Sequence, residues 1–168
     1  TTDWSSVIES MCNSEERNGL IVKIVQMFSN RNFLILSKRI DQIDYLTKQL
    51  REKGESVTCF KGSKQKYNCE SRILIATISK AGVGFDHPKM DALILASDVE
   101  EYFIQYLGRV FRREDVHPLI FDLVDDFNSL KRHYYTRKKV YETSGGVIMN
   151  FNKENVSKYC EKDYDDFF

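Results

Sequence analysis

Arg72-Ile73-Leu74-Ile75-Ala76-Thr77 is the stretch that decides the fold of this chain. It is a short apolar run with polar residues on both sides, which is the pattern of a buried strand. Four further segments predict strands, and they cover residues 32–36, 56–60, 91–97 and 117–124. Strands that are apolar along most of their length are typical of a parallel sheet whose two faces are both covered.

Segments with helical spacing alternate with these strands. Apolar side chains recur every three or four positions over residues 15–29, 40–50 and 127–142. Ser37 is placed to cap the second of these helices at its N-terminus, and Gly54 is placed to end it. Near the start of the chain, Trp4 and Ile8 predict a short packing turn. Near its end, residues 147–151 predict an additional edge strand.

This alternation predicts an α/β fold, namely a doubly wound, mainly parallel sheet with helices on both faces. Ligands of such sheets bind at the carboxyl ends of the strands. We therefore expect the chemistry of this protein in the loops that follow Leu36, Phe60, Thr77 and Ser97.

The composition limits the kind of protein. The chain has 168 residues, 42% of them hydrophobic and 30% charged, which suits one globular domain with a real core. Its formal charge is zero, so nucleic acid can be bound only by a local patch. No apolar run is long enough to span a bilayer, and we expect no membrane partner. Four dispersed cysteines predict neither a zinc site nor a disulfide framework, and they favour a reducing, intracellular compartment.

The loop after the 72–77 strand carries the first motif, Thr77-Ile-Ser-Lys-Ala-Gly-Val-Gly-Phe-Asp86-His-Pro88. A threonine hydroxyl at a strand end can donate to a phosphate, and glycines let backbone amides approach one. Asp86 is suited to accept hydrogen bonds from a ribose hydroxyl or to hold the arginines of the next motif. A plain glycine turn is the alternative interpretation. A dinucleotide site is poorly supported, because the third glycine of that fingerprint is missing.

The second motif is Gln105-Tyr-Leu-Gly-Arg-Val-Phe-Arg112. In a helix its polar members share one stripe, and they are Gln105, Gly108, Arg109 and Arg112. Two guanidiniums with a glycine between them suit an anionic, forked ligand such as a polyphosphate. An ordinary amphipathic helix with solvated arginines has the same spacing and is the alternative.

The pattern Q-x-x-G-R-x-x-R resembles motif VI of the superfamily 2 helicases, and T-x(6)-G-x-D from Thr77 resembles their motif V. The resemblance extends from about residue 20 to about residue 142. It implies that Arg109 and Arg112 act as arginine fingers on ATP and that Gln105 couples the ATP cleft to the nucleic-acid strand. The residues that it implies beside the nucleotide are Gly84, Asp86 and Gly108.

The same resemblance implies a groove for the backbone of DNA or RNA. Ser37, Lys38 and Arg39 stand where the family places motif IV, and a hydroxyl with two cations at a helix N-terminus forms a phosphate-binding corner. The other implied contacts are Gly62, Ser63, Thr77, Ser79 and Lys80. Such binding is sequence-independent and strongly salt-dependent. The alternative is that Ser37 is only a helix cap and that both cations are solvated.

Two features depart from the common family pattern. Val83 occupies a position that is commonly Glu or Arg, so no charged role is expected there. About ten residues separate Gly62 from Arg72, which leaves no room for a full crossover helix. The short crossover resembles the phage and large-DNA-virus helicases, the branch related to the phage branch-migration helicase and the poxvirus transcript-release helicase. A viral source would place the protein in the host cytoplasm or the virion.

The motifs that are missing imply a division of labour. The chain has no G-x-x-x-x-G-K-[ST] loop and no D-E-x-[DH] box. By resemblance it is the second of two RecA-like domains, and ATP with Mg²⁺ is held mainly by the N-terminal RecA-like domain of the same polypeptide. Alone, it is expected to bind neither and to be inactive. A non-catalytic RecA-like module that binds nucleic acid or a protein partner is the alternative function.

The predicted domain covers residues 15–143, with a lead-in over 1–14 and a C-terminal extension over 144–168 that ends in an acidic, aromatic tail. The chain starts at Thr1 without a methionine, which indicates a piece of a longer protein. Residues 131–141 are basic and rich in tyrosine. They predict either a nucleic-acid or partner surface or, as the favoured interpretation, a solvated charged face whose tyrosines pack on the sheet.

Overall fold

The order of helices and strands follows the predicted alternation. The structure is a computed structural model of the chain, and it describes residues 3–60, 70–78, 89–99, 117–125 and 128–150. The helices of these residues are α1 (Trp4–Cys12), α2 (Glu15–Met27), α3 (Ile40–Glu52) and α4 (Asn128–Thr143). The strands are β1 (Phe33–Ser37), β2 (Val57–Phe60), β3 (Ile73–Thr77), β4 (Ala92–Leu95) and β5 (Leu119–Asp122).

The described strands form one sheet with the order β2-β3-β1-β4-β5. Every neighbouring pair is parallel, and β1 stands in the centre with Phe33 opposite Ile73 on one side and Ala92 on the other. The predicted parallel α/β architecture is therefore confirmed. Because all strands run the same way, their carboxyl ends meet at one edge of the sheet, which we call the carboxyl edge.

Helices cover both faces of the central strand. Phe33 and Ile35 point into a core that is completed by α2 and α3. Leu34 and Leu36 point into a second core, against which Tyr141 of α4 packs. Full burial of one such aliphatic or aromatic side chain stabilises the fold by about 1.5–3 kcal/mol, so this strand organises both layers.

The N-terminal segment is more regular than its sequence suggested. A short turn was expected around Trp4, but these residues form helix α1, whose N-terminus is capped by the Asp3 carboxylate accepting from the Ser5 amide at 3.2 Å. Ile8 and Cys12 lie on its buried face and pack with Leu130 of α4. The helical spacing of these apolar residues, together with an aspartate cap, explains the difference.

Glycines end the third and fourth helices. Gly54 follows α3 with a φ of 85°, as its position in the sequence predicted, and Gly145 follows α4 with a φ of 81°. The edge strand predicted over 147–151 is wrong for residues 147–150, which have no regular secondary structure. The chain turns back after α4, where the Gly146 amide donates to the Tyr141 carbonyl at 2.9 Å, and Met149 then packs on the first core.

The two-sided burial of β1 gives a stability prediction. Ile35→Ala removes a side chain of zero exposure from the middle of the sheet, and it should lower the free energy of unfolding by about 2–5 kcal/mol in urea titrations. Ile40→Ala is the matched control, because Ile40 is 49% exposed, and it should change that free energy by less than about 0.5 kcal/mol. Equal effects of the two substitutions would contradict the described core.

Candidate nucleic-acid interface

Four of the predicted nucleic-acid contacts meet at the carboxyl edge. Ser37 ends β1 and lies in register with Thr77, which ends the neighbouring strand β3. Lys38 and Arg39 follow directly and lead into α3. Thr77, Lys38 and Arg39 are half-buried, whereas Ser37 is fully buried. The parallel register, not the sequence spacing, is what brings them together.

Ser37 does not have the position that its sequence suggested. The N-cap residue of α3 is Arg39, and Ser37 is the last residue of β1. The Ser37 hydroxyl accepts from the Arg39 amide at 3.1 Å and donates to Oε1 of Gln42 at 2.5 Å. β1 ends one residue later than predicted, at Ser37. The buried Ser37 hydroxyl therefore stabilises the start of α3 through these two hydrogen bonds. Its predicted contact with nucleic acid stays a prediction.

The two cations after β1 turn toward the first turn of α1. The Lys38 amide donates to the Ser97 hydroxyl at 2.8 Å, which fixes the loop to the end of β4. The Lys38 ammonium lies 6.0 Å from the ring centre of Trp4. The Arg39 guanidinium donates to the Ser5 hydroxyl at 3.1 Å. The backbone of this corner is therefore fixed to the end of β4, and the Arg39 guanidinium has a partner in α1.

A layer of buried polar side chains supports the corner from below. Gln42 donates to the Ala96 carbonyl at 3.2 Å and to Asn18 at 2.9 Å. Arg17 donates to the carbonyls of Ala96 and Leu123 at 3.1 and 2.8 Å. These carbonyls lie just past the ends of β4 and β5, where backbone hydrogen bonding between strands has ended. Side chains donate to them instead. Sequence reasoning missed this layer, because its partners are far apart along the chain.

A second group of charges lies at the ends of β4 and β5. We call it the Arg137 cluster, and it consists of Arg137, Asp98, Asp122, His133 and Tyr141. The guanidinium binds both oxygens of Asp122 at 2.8 and 2.9 Å, one oxygen of Asp98 at 2.7 Å and the Val99 carbonyl at 2.7 Å. His133 Nδ1 meets the other Asp98 oxygen, and the Tyr141 hydroxyl donates to Asp122 at 2.7 Å.

The electrostatics of this cluster favour one protonation state. Burial and the neighbouring Asp122 carboxylate raise the pKa of Tyr141 far above its usual range, so the phenol stays neutral and donates. Burial alone lowers the pKa of Arg137, but Asp122 and Asp98 outweigh it and the net pKa is raised. The guanidinium therefore remains charged between two carboxylates. Burial also raises the pKa of the Cys12 thiol, which lies near this edge.

The role of Arg137 was not predicted. For residues 131–141 we favoured a solvated charged face whose tyrosines pack on the sheet. The structure agrees in part, since Arg132 and Lys139 are exposed and Tyr141 packs on the sheet. Arg137, however, is 2% exposed. The available signal was its place on the same helical stripe as Leu130 and Tyr141, because a charge on a buried stripe needs a buried partner.

The chain resembles several iridovirus proteins. Protein 161L of Invertebrate iridescent virus 6, which is named as a helicase, is 40% identical over 169 residues that cover 89% of this chain and 38% of that protein. Protein 055L of Frog virus 3, also named as a helicase, is 33% identical over 147 residues, covering 87% of this chain and 33% of that protein. The chain thus spans between about a third and two fifths of the length of these relatives. No protein-family profile matches it.

A shorter relative matches along almost its whole length. Uncharacterized protein 108L of Invertebrate iridescent virus 3 is 54% identical over 99 residues, which cover 59% of this chain and 95% of that protein. The chain belongs to this family of viral proteins, as a superfamily 2 helicase C-terminal RecA-like domain.

Solved structures agree with the fold of this helicase domain. Phage T4 UvsW superimposes with a TM-score of 0.68 at 16% identity over 84% of the chain and 35% of UvsW. The C-terminal domain of the DEAD-box protein Dbp5 gives 0.67 at 15% identity, covering 89% of the chain and 92% of that domain. Dbp5 from S. cerevisiae bound to RNA and ADP BeF3 gives 0.61 at 17% identity over 86% of the chain and 41% of Dbp5.

The remaining predicted site residues of the helicase domain lie outside the described residues. They are Gly62, Ser63, Ser79, Lys80, Gly84, Asp86, Gln105, Gly108, Arg109 and Arg112. Their attachment points are described. Thr77 and Ile78 lead into the segment with Gly84, and Asp98 and Val99 lead into the segment with both arginines. The Arg137 cluster therefore holds the backbone at the entrance to the second motif.

Within the described ranges of the helicase domain, no group of three or more His, Cys, Asp or Glu side chains is arranged to hold a metal ion. The two carboxylates at the ends of β4 and β5 are both paired with Arg137. The same ranges contain no helix with the length and apolarity that a bilayer crossing requires.

The Arg137 cluster gives a stability prediction for the helicase domain. Arg137→Met should lower the free energy of unfolding by about 3–5 kcal/mol, because it leaves Asp98 and Asp122 buried without their cation. Arg137→Lys should have an intermediate effect, since a lysine keeps the charge but not the paired donors. Chemical unfolding at neutral pH measures both.

Lys139→Met is the matched control for this pair, because Lys139 is an exposed cation on the same helix. It should change the free energy of unfolding by less than about 0.5 kcal/mol. An Arg137→Met variant as stable as Lys139→Met would show that the buried cation contributes nothing to the fold.

Proposed function

We propose that the chain is the second motor domain of an ATP-dependent superfamily 2 helicase or translocase. One observation carries the proposal: in a domain homologous to viral proteins named as helicases, Thr77, Lys38 and Arg39 converge on one carboxyl edge. A hydroxyl and two cations on adjacent strand ends form a corner that suits a phosphate backbone. The solved complex of Dbp5 with RNA supports the assignment of nucleic acid as the ligand class.

The proposed division of labour follows the order of the loops. The loops after β1 and β3 hold the nucleic-acid backbone through Lys38, Arg39 and Thr77. The segment after β4 carries Arg109 and Arg112, which act as arginine fingers on ATP bound in a cleft against the N-terminal RecA-like domain. Fixed guanidiniums stabilise the charge that develops on the transferred phosphoryl group and accelerate transfer by roughly 10³–10⁵. Gln105 couples the cleft to the strand.

Asp98 and Asp122 do not fit a Mg²⁺ site, because both already bind the Arg137 guanidinium. The proposal therefore assigns the ion, together with most contacts to ATP, to the N-terminal domain of the same polypeptide. It follows that this chain alone hydrolyses no ATP. As part of a viral helicase, it acts in the infected host cell or in the virion.

Hinge closure converts these contacts into movement. ATP holds the two domains together through Arg109 and Arg112, and hydrolysis releases them. The edge around Lys38 and Thr77 then changes its position along the phosphate backbone with each cycle. Because the contacts are to phosphates, movement does not depend on base sequence.

The arginine fingers give the first functional prediction. Arg109→Ala or Arg112→Ala in the full-length parent protein should reduce ATP turnover at least about a hundredfold, while binding of single-stranded DNA or RNA is retained. ATPase assays with and without single-stranded and duplex DNA and RNA measure the effect and identify the stimulating nucleic acid.

Arg113→Ala is the matched control, because Arg113 is a neighbouring arginine outside the Q-x-x-G-R-x-x-R pattern. It should leave turnover within about twofold of the parent. Unchanged turnover in both finger variants would exclude the motor function and leave a non-catalytic module that binds nucleic acid or a partner.

The phosphate corner gives a second functional prediction. Lys38→Ala should lower the slope of log K against log salt concentration by about 0.7–0.9, the amount expected for one lost phosphate contact. Binding of a labelled oligonucleotide is followed by anisotropy at several salt concentrations. Lys48→Ala on the exposed side of α3 is the control and should keep the full slope. If Lys38→Ala and the control have the same slope, Lys38 does not contact a phosphate of the bound nucleic acid.

A further inference from the structure

An exposed tryptophan lies beside the phosphate corner. Trp4 is the first residue of α1, its side chain is 39% exposed, and it is the single tryptophan of the chain. A large aromatic ring usually buries more of its surface, because that burial is what stabilises the fold. This ring instead remains available on the surface of the carboxyl edge.

The surroundings of Trp4 come from three separate elements. Its ring makes a T-shaped contact with His133 of α4, with the centroids 5.4 Å apart and the planes at 70°. The Lys38 ammonium from the loop after β1 lies 6.0 Å from the ring centre, at the outer limit of a cation–π contact. The Arg39 guanidinium donates a hydrogen bond to the hydroxyl of Ser5, the residue that follows Trp4 in α1. The ring therefore contacts an imidazole and has the Lys38 ammonium over it, and Arg39 is bonded to the residue that follows it.

Two acidic side chains near this surface, Asp98 and Asp3, bind other groups of the domain. Asp98 is buried and binds Arg137 and His133. Asp3, which precedes Trp4, accepts from the Ser5 amide and the Ser6 hydroxyl as the cap of α1. The Lys38 ammonium lies over the ring and Arg39 contacts the next residue, and these two cations beside a flat ring favour an anionic ligand with a flat face. Single-stranded nucleic acid has both properties, since its phosphates are anionic and every base has a π-face.

We propose that Trp4 is a stacking platform for one base of a bound single strand, with Lys38 and Arg39 holding the adjacent phosphates. The proposal rests on the proposed function, because it places the strand on the same edge. It adds one contact, from the Trp4 ring, to those proposed for Thr77, Lys38 and Arg39. Since β1 lies between β3 and β4, Thr77 stands on one side of Lys38, and Ser97, which follows β4, stands on the other. The strand then runs across the ends of β3, β1 and β4 to reach the ring.

The fluorescence of the single tryptophan reports on this contact directly. In the 168-residue chain, oligo-dT and oligo-rU of about 12 nucleotides should quench the Trp4 emission in a saturable way at low salt. Quenching by one of the two identifies DNA or RNA as the preferred strand. A blunt duplex of the same length should quench less, because its bases are already stacked.

Substitutions test whether the Trp4 ring stacks on a base or only lies near the bound strand. Trp4→Ala should weaken binding of the preferred oligonucleotide roughly 5- to 100-fold by anisotropy, and Trp4→Phe should recover part of the loss. Tyr45→Ala is the matched control, because Tyr45 is an aromatic residue with 43% exposure on α3, and it should bind like the parent chain. Circular dichroism verifies that each variant is folded.

The outcomes distinguish this proposal from the motor function. Emission that does not respond to any oligonucleotide, or a Trp4→Ala affinity equal to that of Tyr45→Ala, would overturn the stacking platform. That result would leave the surface to a protein partner, and it would not affect the Arg109→Ala assay. Conversely, quenching in the 168-residue chain, together with ATP turnover of the parent that is insensitive to Arg109→Ala, would support the platform without the motor.

Discussion

The structure depends on one constraint, which is the burial of β1 on both of its faces. A strand with no exposed residue needs a neighbour on each side and a helical layer above and below it. These requirements fix the positions of β3 and β4 and of the helices that cover them. Because all the described strands are parallel, the same constraint gathers their carboxyl ends at one edge. Every polar group that we assign to nucleic acid is attached to that edge.

The edge stays polar without becoming unstable, because side chains of the same domain bind its buried carboxylates and backbone carbonyls. Arg17 and Gln42 supply donors to backbone carbonyls that the sheet leaves unpaired. Arg137 supplies a cation to two carboxylates. Lys38 and Arg39, the cations of the phosphate corner, form no ion pair with these two described carboxylates. That separation between structural and surface charge allows the edge to present a local positive corner on a chain whose formal charge is zero.

Much of the fold could be predicted, because the strands of a parallel sheet are apolar along most of their length and the helices are amphipathic. The site was only partly predictable. The position of Lys38 after a buried strand could be inferred from pattern alone, but the internal role of Ser37 depends on where that strand ends. The role of Arg137 depends on Asp98 and Asp122, which are distant in sequence and become partners only when β4 and β5 pair. Periodicity indicates which side chains are buried, and it does not say which of them meet. The functions of Arg109 and Arg112 remain predictions that rest on homology.

The strand order also has a consequence for how the domain folds. The outer pairs β2–β3 and β4–β5 join residues 16 and 27 positions apart, whereas β1 pairs with strands 40 and 59 positions away. Loop-closure entropy rises with separation, so the most buried strand makes the least local contacts. The two outer pairs therefore lose less loop-closure entropy when they form, and pairing with β1 joins them in one sheet. In a chain leaving the ribosome, the apolar segment from Phe33 to Ser37 therefore has no partner strand until β3, 40 residues later, has emerged.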